Sequence, residues 1–417
     1  MATVSSAPHS PPPAPVITDA AARRSLLTLI GLTMFVHIVF NGSRITISLY
    51  AISLGAAPDR VGMILCLFGL LPMLLSISAG RLIDRVGSRL PMAIGAMMAC
   101  IGALSVPLLP GLNTLYFASM MIGSGFMLFQ IAQQNVAGYF GRPEDRPFNF
   151  SLVALGFAIS NLAGPLLAGF LIDHVGHVNT FASLGWLPIV TAACVMLGIP
   201  ALPAVPPARA RERRHLFELF AHRNLRFVYL STALVAMSWD LYIFVMPIYC
   251  SRIGLSATRI GLVIGTFAFA TFCVRVIIPV LVRRLNAWQM LRVALAVSAA
   301  MYFLFPLTDE TALLMGLSFL LGLGLGSAQP MVMSLLHDST PEGRVGEAVG
   351  LRSMLMNTSQ TGLPLFFGIL GSALGMTPVF WTLAVLQVAG GEAIRRHQRR
   401  LKVLQASGTE AQRNGQA

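Results

Sequence analysis

Twelve apolar runs, each long enough to cross a bilayer, leave this chain few folds to choose from. They fall at roughly 26–52, 61–79, 91–109, 112–139, 149–171, 179–199, 225–250, 259–282, 288–307, 311–336, 345–370 and 376–394, here called spans 1 to 12. About 20 apolar residues cover the hydrocarbon core. Lipid offers no hydrogen bonds to the backbone, so such runs must be helices. The expected fold is an all-α integral membrane protein of twelve transmembrane helices. Only 11% of the 417 residues are charged, against roughly 25% in soluble chains, which makes lipid the main solvent.

The net charge of +13 does not point to nucleic acid, because the basic residues sit between the apolar runs, where phospholipid head groups lie. With a cytosolic N-terminus, and with span ends counted with the segments they adjoin, cytosolic segments hold 23 Lys and Arg, outer loops hold three (Arg60, Arg252, Arg259) and spans hold three (Arg44, Arg275, Arg352). That asymmetry places both termini in the cytosol. Residues 1–24 are Pro- and Ala-rich and expected to be disordered. The segment 200–224, with Pro200, Pro203, Pro206 and Pro207 followed by four arginines, reads as a linker between bundles at 25–199 and 225–395, and 396–417 as a cytosolic tail. The five cysteines lie in or beside apolar runs without metal or disulfide spacing, and no cofactor is expected.

The halves repeat. Gly55-Ala-Ala-Pro-Asp-Arg60-Val-Gly62 aligns with Gly254-Leu-Ser-Ala-Thr-Arg259-Ile-Gly261 at an offset of 199 (254 − 55). The same offset pairs Tyr50 with Tyr249, Gly123-x-Gly125 with Gly322-x-Gly324, Gln130 with Gln329, and Asp84-Arg85 with Arg283-Arg284. At one residue less, Pro143-Glu144-Asp145-Arg146 pairs with Pro341-Glu342-Gly343-Arg344. Two parallel six-helix repeats are therefore expected, with a substrate near the midplane between them.

Between spans 2 and 3 runs Gly80-Arg81-Leu82-Ile83-Asp84-Arg85-Val86-Gly87-Ser88-Arg89-Leu90, read as a hydrophilic loop whose two glycines permit a tight turn. Gly80, Leu82, Asp84, Arg85, Gly87 and Arg89 resemble the loop 2–3 signature of the major facilitator superfamily, with Ser88 where a basic residue is usual. The resemblance covers residues 25 to 395 and implies a transporter that works by alternating access. In that family the loop is a conformational latch whose aspartate meets the start of helix 11, which implies this role for Asp84. The second copy is degenerate, with Pro279 and Arg283 in place of the glycine and the aspartate. On span 5, Gly156-x-x-x-Ser160-x-x-x-Gly164-Pro165-x-x-Ala168-Gly169 resembles the glycine-proline signature of the family's antiporters, although small residues at this spacing also serve ordinary helix packing. Together these features resemble bacterial proton-coupled exporters. The arginine those exporters often carry on helix 4 is missing: Ala118, Ser119, Met120 and Met121 occupy that region.

An ionisable group at mid-bilayer costs about 2.5–3.5 kcal/mol on insertion scales and so marks function or a structural partner. His37, Asn41, Arg44 and Ser48 form one stripe along span 1, expected to face the central cavity. Asn41 corresponds by offset to Asp240 on span 7, the one acidic residue deep in any span. Asp240 is the candidate proton-coupling site, with His37 the other titratable candidate. Arg44 either binds an anionic substrate group or sets the charge of Asp240; the alternative is a permanent ion pair tying spans 1 and 7. The resemblance implies that helices 1, 4, 7 and 10 line the cavity, which adds Gln130, Gln134 and Gln329, and Trp239 and Tyr242 flank Asp240 and could stack on a substrate. Asn357 joins them from span 11. Arg275 and Arg352 read as gate or packing residues, and single amides on spans 5 and 11, such as Asn161, as ties between helices.

No Ser/His/Asp set, metal cluster or phosphate-binding loop appears, so an enzyme is not expected and ATP is not the energy source. The sequence therefore points to proton-coupled transport of a small molecule across a bacterial inner membrane by a monomer, as an exporter, or alternatively as an importer of a small organic anion.

Overall fold

A computed structural model describes residues 19–137, 139–140, 146–203, 223–281, 286–340 and 345–414. The expected N-terminal tail to residue 18, most of the linker (204–222), Arg283, Arg284, and the Pro-Glu motifs at 143–145 and 341–344 lie outside the described residues. So do the side chains of Arg81 and Asp84.

The chain forms α1 (Asp19–Ser53), α2 (Pro58–Val86), α3 (Arg89–Leu108), α4 (Leu112–Ala137), α5 (Arg146–Met196), α6 (Arg223–Arg252), α7 (Ala257–Leu281), α8 (Ala287–Leu304), α9 (Thr311–Ser339), α10 (Val345–Leu374) and α11 (Met376–Asn414). The 51 residues of α5 would span about 77 Å if straight, more than twice the hydrocarbon thickness. Gly176, at φ +80°, breaks it into two arms, which are spans 5 and 6. Gly375, its counterpart at an offset of 199, takes φ +85° between α10 and α11. Thus α6 to α11 are spans 7 to 12, and the fold is two pseudo-symmetric six-helix bundles. Among the described residues nine helices are long and apolar enough to cross a membrane, α5 counting once. Spans 11 and 12 belong to α10 and α11, whose polar residues lower their hydropathy.

One expectation needs correction. The stretch from Gly80 to Leu90 is mostly helical: α2 continues through Gly80 to Val86, and the turn is made by Gly87 alone, at φ +79°. Buried Ala79 and Ile83 hold that last turn onto the N-terminal bundle, so the chain gains by staying helical. His174 and His177 sit in the helical arms on either side of Gly176.

The sequence repeats become contacts. A Cβ on Gly123 would overlap the Phe68 backbone, and one on Gly322 would overlap Phe267, residues that are themselves related by the offset. A Cβ on Gly125 would overlap the Gly95 carbonyl likewise, whereas one on Gly324 would stand in contact with Val297 and 3.4 Å from the Ala294 carbonyl. These glycines bring spans 4 and 10 against their neighbours at backbone distance, where dispersion and weak hydrogen bonds replace the hydrophobic effect.

Candidate functional site

The face of the molecule where α1 begins and α11 ends is called here the terminal face, and the opposite one the far face. On the far face the two bundles are stitched by a seam that repeats twice. Gly62 of α2 packs on the Pro364 carbonyl and Gly368 of α10, and Gly261 of α7 packs on the Pro165 carbonyl and Gly169 of α5. Each helix N-terminus is then capped from the other bundle. Asp173 accepts from the backbone N–H of Ala257 at 3.0 Å and Thr258 at 2.7 Å; at the equivalent place Ser372 accepts from Asp59 N–H at 2.9 Å and donates to the Asp59 carboxylate. Among the described residues, all hydrogen bonds between the bundles lie in this seam.

The glycine-proline segment of span 5 serves two neighbours at once. Gly156 and Gly164 face α1, where a Cβ on Gly164 would lie 2.9 Å from that of Asn41, while Pro165 and Gly169 face α7. Of the expected latch, Gly80 is half-buried and Arg85 and Arg89 are exposed on the terminal face.

The stripe on α1 is buried. His37 stacks on Phe157 at 4.7 Å and lies 5.1 Å from Phe126, with Phe40 stacked on Phe126 beside it. The Asn41 amide donates to the His37 carbonyl at 3.0 Å and to Asn161 Oδ1 at 2.9 Å, so Asn161 is a tie between α1 and α5. His37 and Asn41 are therefore partnered inside the N-terminal bundle. Arg44 is 6% exposed; its Nε has no hydrogen-bond partner, and its guanidinium carbon stands 5.9 Å from the Phe40 ring centre. A cation over an aromatic face is stabilised by the ring quadrupole.

Asp240 on α6 is 8% exposed, and its charge acts on Arg44 across the boundary between the bundles. No hydrogen bond or ion pair within 4.0 Å joins the two side chains, so they face each other as separated charges. Ser359 of α10 approaches the Asp240 carboxylate without reaching hydrogen-bond geometry.

The flanking aromatics divide. Trp239 is half-buried, edge-on to Phe267 at 4.9 Å. Tyr242, expected beside a substrate, belongs to the core: it is 0% exposed, stacks on Phe267 at 4.5 Å and donates toward the Val263 carbonyl and Ser318 Oγ. Two residues C-terminal to Asp240 on a helix, it must point away from the carboxylate's face.

Gln130 is half-buried, Gln134 exposed and Asn357 half-buried. Gln329 accepts from Arg352 Nη2 at 3.0 Å, and the two line a cleft with Thr232, Val235, Ala236, Val332 and Met356. Arg275 is exposed near the terminal end of α7. Sequence reasoning missed the Arg352–Gln329 bond, which no periodicity announces, and the capping pairs of the far seam. The offset of 199 relates 59 to 258 and 173 to 372, so the repeat carried the signal for those caps. Among the described residues no group of His, Cys, Asp and Glu is placed to hold a metal ion.

A sequence model described as Major Facilitator Superfamily matches residues 29–312 and 228–392. The chain belongs to this superfamily. It is a multi-pass membrane transporter and not an enzyme. Relatives of this superfamily member include monocarboxylate transporter 6 of Mus musculus, 23% identical over 320 residues covering 69% of this chain and 68% of the relative. An uncharacterized MFS-type transporter of Methanocaldococcus jannaschii is 22% identical over 366 residues, covering 82% of this chain and 90% of the relative. Among solved structures, the peptide transporter POT in complex with sulfate superposes with a TM-score of 0.76 at 14% identity, covering 90% of this chain and 94% of that one. The nucleoside transporter NupG gives 0.73 at 13%, covering 89% and 98%. At these identities the superpositions speak for the fold alone.

Proposed function

We propose that the protein is a proton-coupled secondary transporter of small molecules in a bacterial inner membrane, working as a monomer with both termini in the cytosol, and that it exports its substrate in exchange for protons. The observation that carries this reading is the separated pair of buried charges, Arg44 on α1 and Asp240 on α6, one in each bundle. A carboxylate in a dry site favours its neutral form, while a facing guanidinium favours the charged one. Rocking of the bundles changes that separation and the access of water, so Asp240 takes up a proton on one side and releases it on the other. His37 has its ring among aromatics and its Nδ1 3.1 Å from the Asn41 amide, which suits it to positioning rather than to proton exchange. Export is supported by the Gly164-Pro165 segment, which resembles the antiporter signature and packs α5 against both α1 and α7. Cytosolic termini follow from the distribution of arginine, and the exposed Arg85 and Arg89 suit a cytosolic latch.

A second reading, uptake of a small organic anion, is favoured by the cation surplus within the spans and by the likeness to a monocarboxylate transporter. The test is transport in proteoliposomes with an imposed pH gradient and an internal pH dye, screening cationic, neutral and anionic compounds against wild type and Asp240→Asn. Export by antiport requires a compound that moves protons outside-to-inside against its own flux in wild type and not in the variant. Proton movement unchanged in D240N sinks the coupling role, and proton and compound moving the same way replaces antiport with uptake.

A further inference from the structure

The two halves of the far seam are equivalent in place and unlike in chemistry. In one, Ser372 meets Asp59, and the offset of 199 puts Met376 where the other half has His177. In the other, the cap has a titratable neighbour. Gly176, at φ +80°, turns α5 back between spans 5 and 6, and the turn lays His177 on the Tyr50 ring at the end of α1, with ring centres 5.5 Å apart and planes 22° from parallel. His177 is half-buried there, while Asp173, one turn earlier, is exposed on the far face.

While the far face is closed, Asp173 is fully engaged. A carboxylate offers about four lone-pair sites. Two are taken by the Ala257 and Thr258 backbone N–H groups of the opposite bundle, and the Thr258 and Ser256 side chains lie against the others. Slight desolvation would raise the Asp173 pKa, but these hydrogen bonds hold it below the usual carboxylate range, so the cap stays charged in mild acid. His177 feels that charge without forming an ion pair with it. Burial pushes its imidazole below the ordinary range and Asp173 pulls it back up, which leaves the ring neutral at neutral pH and poised to charge in acid. The other charged or titratable groups of the elements packed here do not compete for it. His174 is stacked on Phe170 with Nδ1 2.8 Å from the Phe170 carbonyl, and Arg252 and Arg259, at the end of α6 and the start of α7, are exposed.

A proton on His177 shifts the balance of the seam. The imidazolium draws on the carboxylate that caps α7, and its own charge opposes the positive end of the α7 dipole. With the face closed, a bond from His177 to Asp173 must displace one of the donors already there. With the face open, Asp173 is released from α7 and the bond is free to form. The proton is therefore held more tightly in the open arrangement, and by linkage acid favours opening. Tyr50 keeps the ring seated in both charge states, since an aromatic face also attracts a cation.

We infer that His177 is a second proton-binding site, placed at the far gate, and that its protonation loosens the Asp173 cap on α7 and opens the far face. This goes beyond the coupling role proposed for Asp240, because it makes access itself answer to the pH on the far side. It rests on the transport reading for its use, as the means by which acid outside turns the empty protein outward.

The experiment measures the distance between spin labels at exposed Leu54 and Leu374 in the full chain in lipid nanodiscs, without substrate or pH gradient, from about pH 7.5 down to about pH 5. The population open on the far face should rise severalfold on acidification, up to about tenfold if the two arrangements differ by about one pKa unit at His177. His177→Phe keeps a ring on Tyr50 without a titrating group and should abolish the rise. His177→Lys carries the charge throughout and should hold the face open across the range, which keeps the proposal open to test if H177F does not fold. The rise should persist in His174→Gln and in Asp240→Asn. A wild type that does not respond, or that closes in acid, overturns the site. So does a rise that survives in H177F, or one lost in D240N, which would assign the response to the buried carboxylate. Because no gradient or substrate is present, failure of proton-coupled transport in the proteoliposome experiment leaves this result standing.

Discussion

Spans 1 and 7 occupy equivalent places in the two bundles, yet positions 37, 41 and 44 are His, Asn and Arg whereas 236, 240 and 243 are Ala, Asp and Ile. Spans 5 and 11 differ likewise, with Val153 against Arg352. The packing glycines and prolines behave the opposite way: Gly62 and Gly261, Pro165 and Pro364, Gly169 and Gly368 repeat in type and in contact. Close approach of two backbones needs the missing Cβ on both sides of the pseudo-twofold, so that part of the repeat is held in common by geometry. Side chains facing the gap between bundles bear no such constraint. One bundle can carry the cation and the other the acid, which is what a charge separation that varies with rocking requires.

The largest effects test the shared part. Gly62→Leu and Gly261→Leu each drive a side chain into a carbonyl of the other bundle, Pro364 or Pro165. Overpacking costs about 1–3 kcal/mol even where side chains can give way, and backbone gives less. Transport should fall to background in both variants, and spin labels at exposed Leu54 and Leu374 should move apart equally. A large response in one variant and none in the other would break the equivalence of the two seams.

Next comes the part that differs. Arg44→Leu leaves Asp240 buried without its facing charge, and removing one partner of a buried pair costs up to about 3–5 kcal/mol. At the equivalent position Ile243→Leu should cost less than about 1.5 kcal/mol. Thermal unfolding in detergent measures both. The double variant R44L/D240L should recover most of the loss, and a double variant as unstable as the sum of the singles would mean that the two charges do not sense each other.

Tyr242 and its counterpart Ser43 give a smaller contrast. Tyr242→Phe removes a buried hydroxyl with two acceptors in reach and should lower stability by about 1 kcal/mol. Ser43 Oγ is buried without a partner, so Ser43→Ala should be neutral or slightly stabilising. Transport by Y242F should match wild type once stability is matched, and an altered substrate preference would return Tyr242 to the cavity.

The sequence was most legible where physics leaves one solution. Long apolar runs must be helices, and the offset of 199 foretold two bundles. It was less legible where a choice is settled by neighbours. The glycine at 80 reads as a turn, but burial of Ala79 and Ile83 keeps it helical. The polar stripe of α1 reads as cavity-facing, but Phe126, Phe157 and Asn161 from other helices take up His37 and Asn41. Tyr242 sits two residues from Asp240 in sequence, and helical geometry turns that proximity into opposition. Which amide meets which guanidinium, as in Gln329 with Arg352, depends on three-helix packing that no single run encodes.

The smallest predicted effect concerns the two caps of the far seam, equivalent in place and unlike in charge. Asp173 accepts two backbone N–H groups at the start of α7 and brings a negative charge to the positive end of a helix dipole. Ser372 accepts one N–H at the start of α2, where Asp59 of that same helix supplies the charge. Replacing a capping side chain with alanine costs about 0.5–2 kcal/mol. Because these caps cross between bundles, the cost falls on the closed far face rather than on folding. Asp173→Ala should therefore raise the population open on the far face about fivefold, as about 1 kcal/mol implies. Ser372→Ala should raise it less than about twofold, because Asp59 remains near its own helix N-terminus. The Leu54–Leu374 label distance reads both, and added salt should shrink the D173A effect by screening the charge in wild type. Equal responses in the two variants would mean that the seam is held by its glycine contacts, with the caps contributing position but little energy.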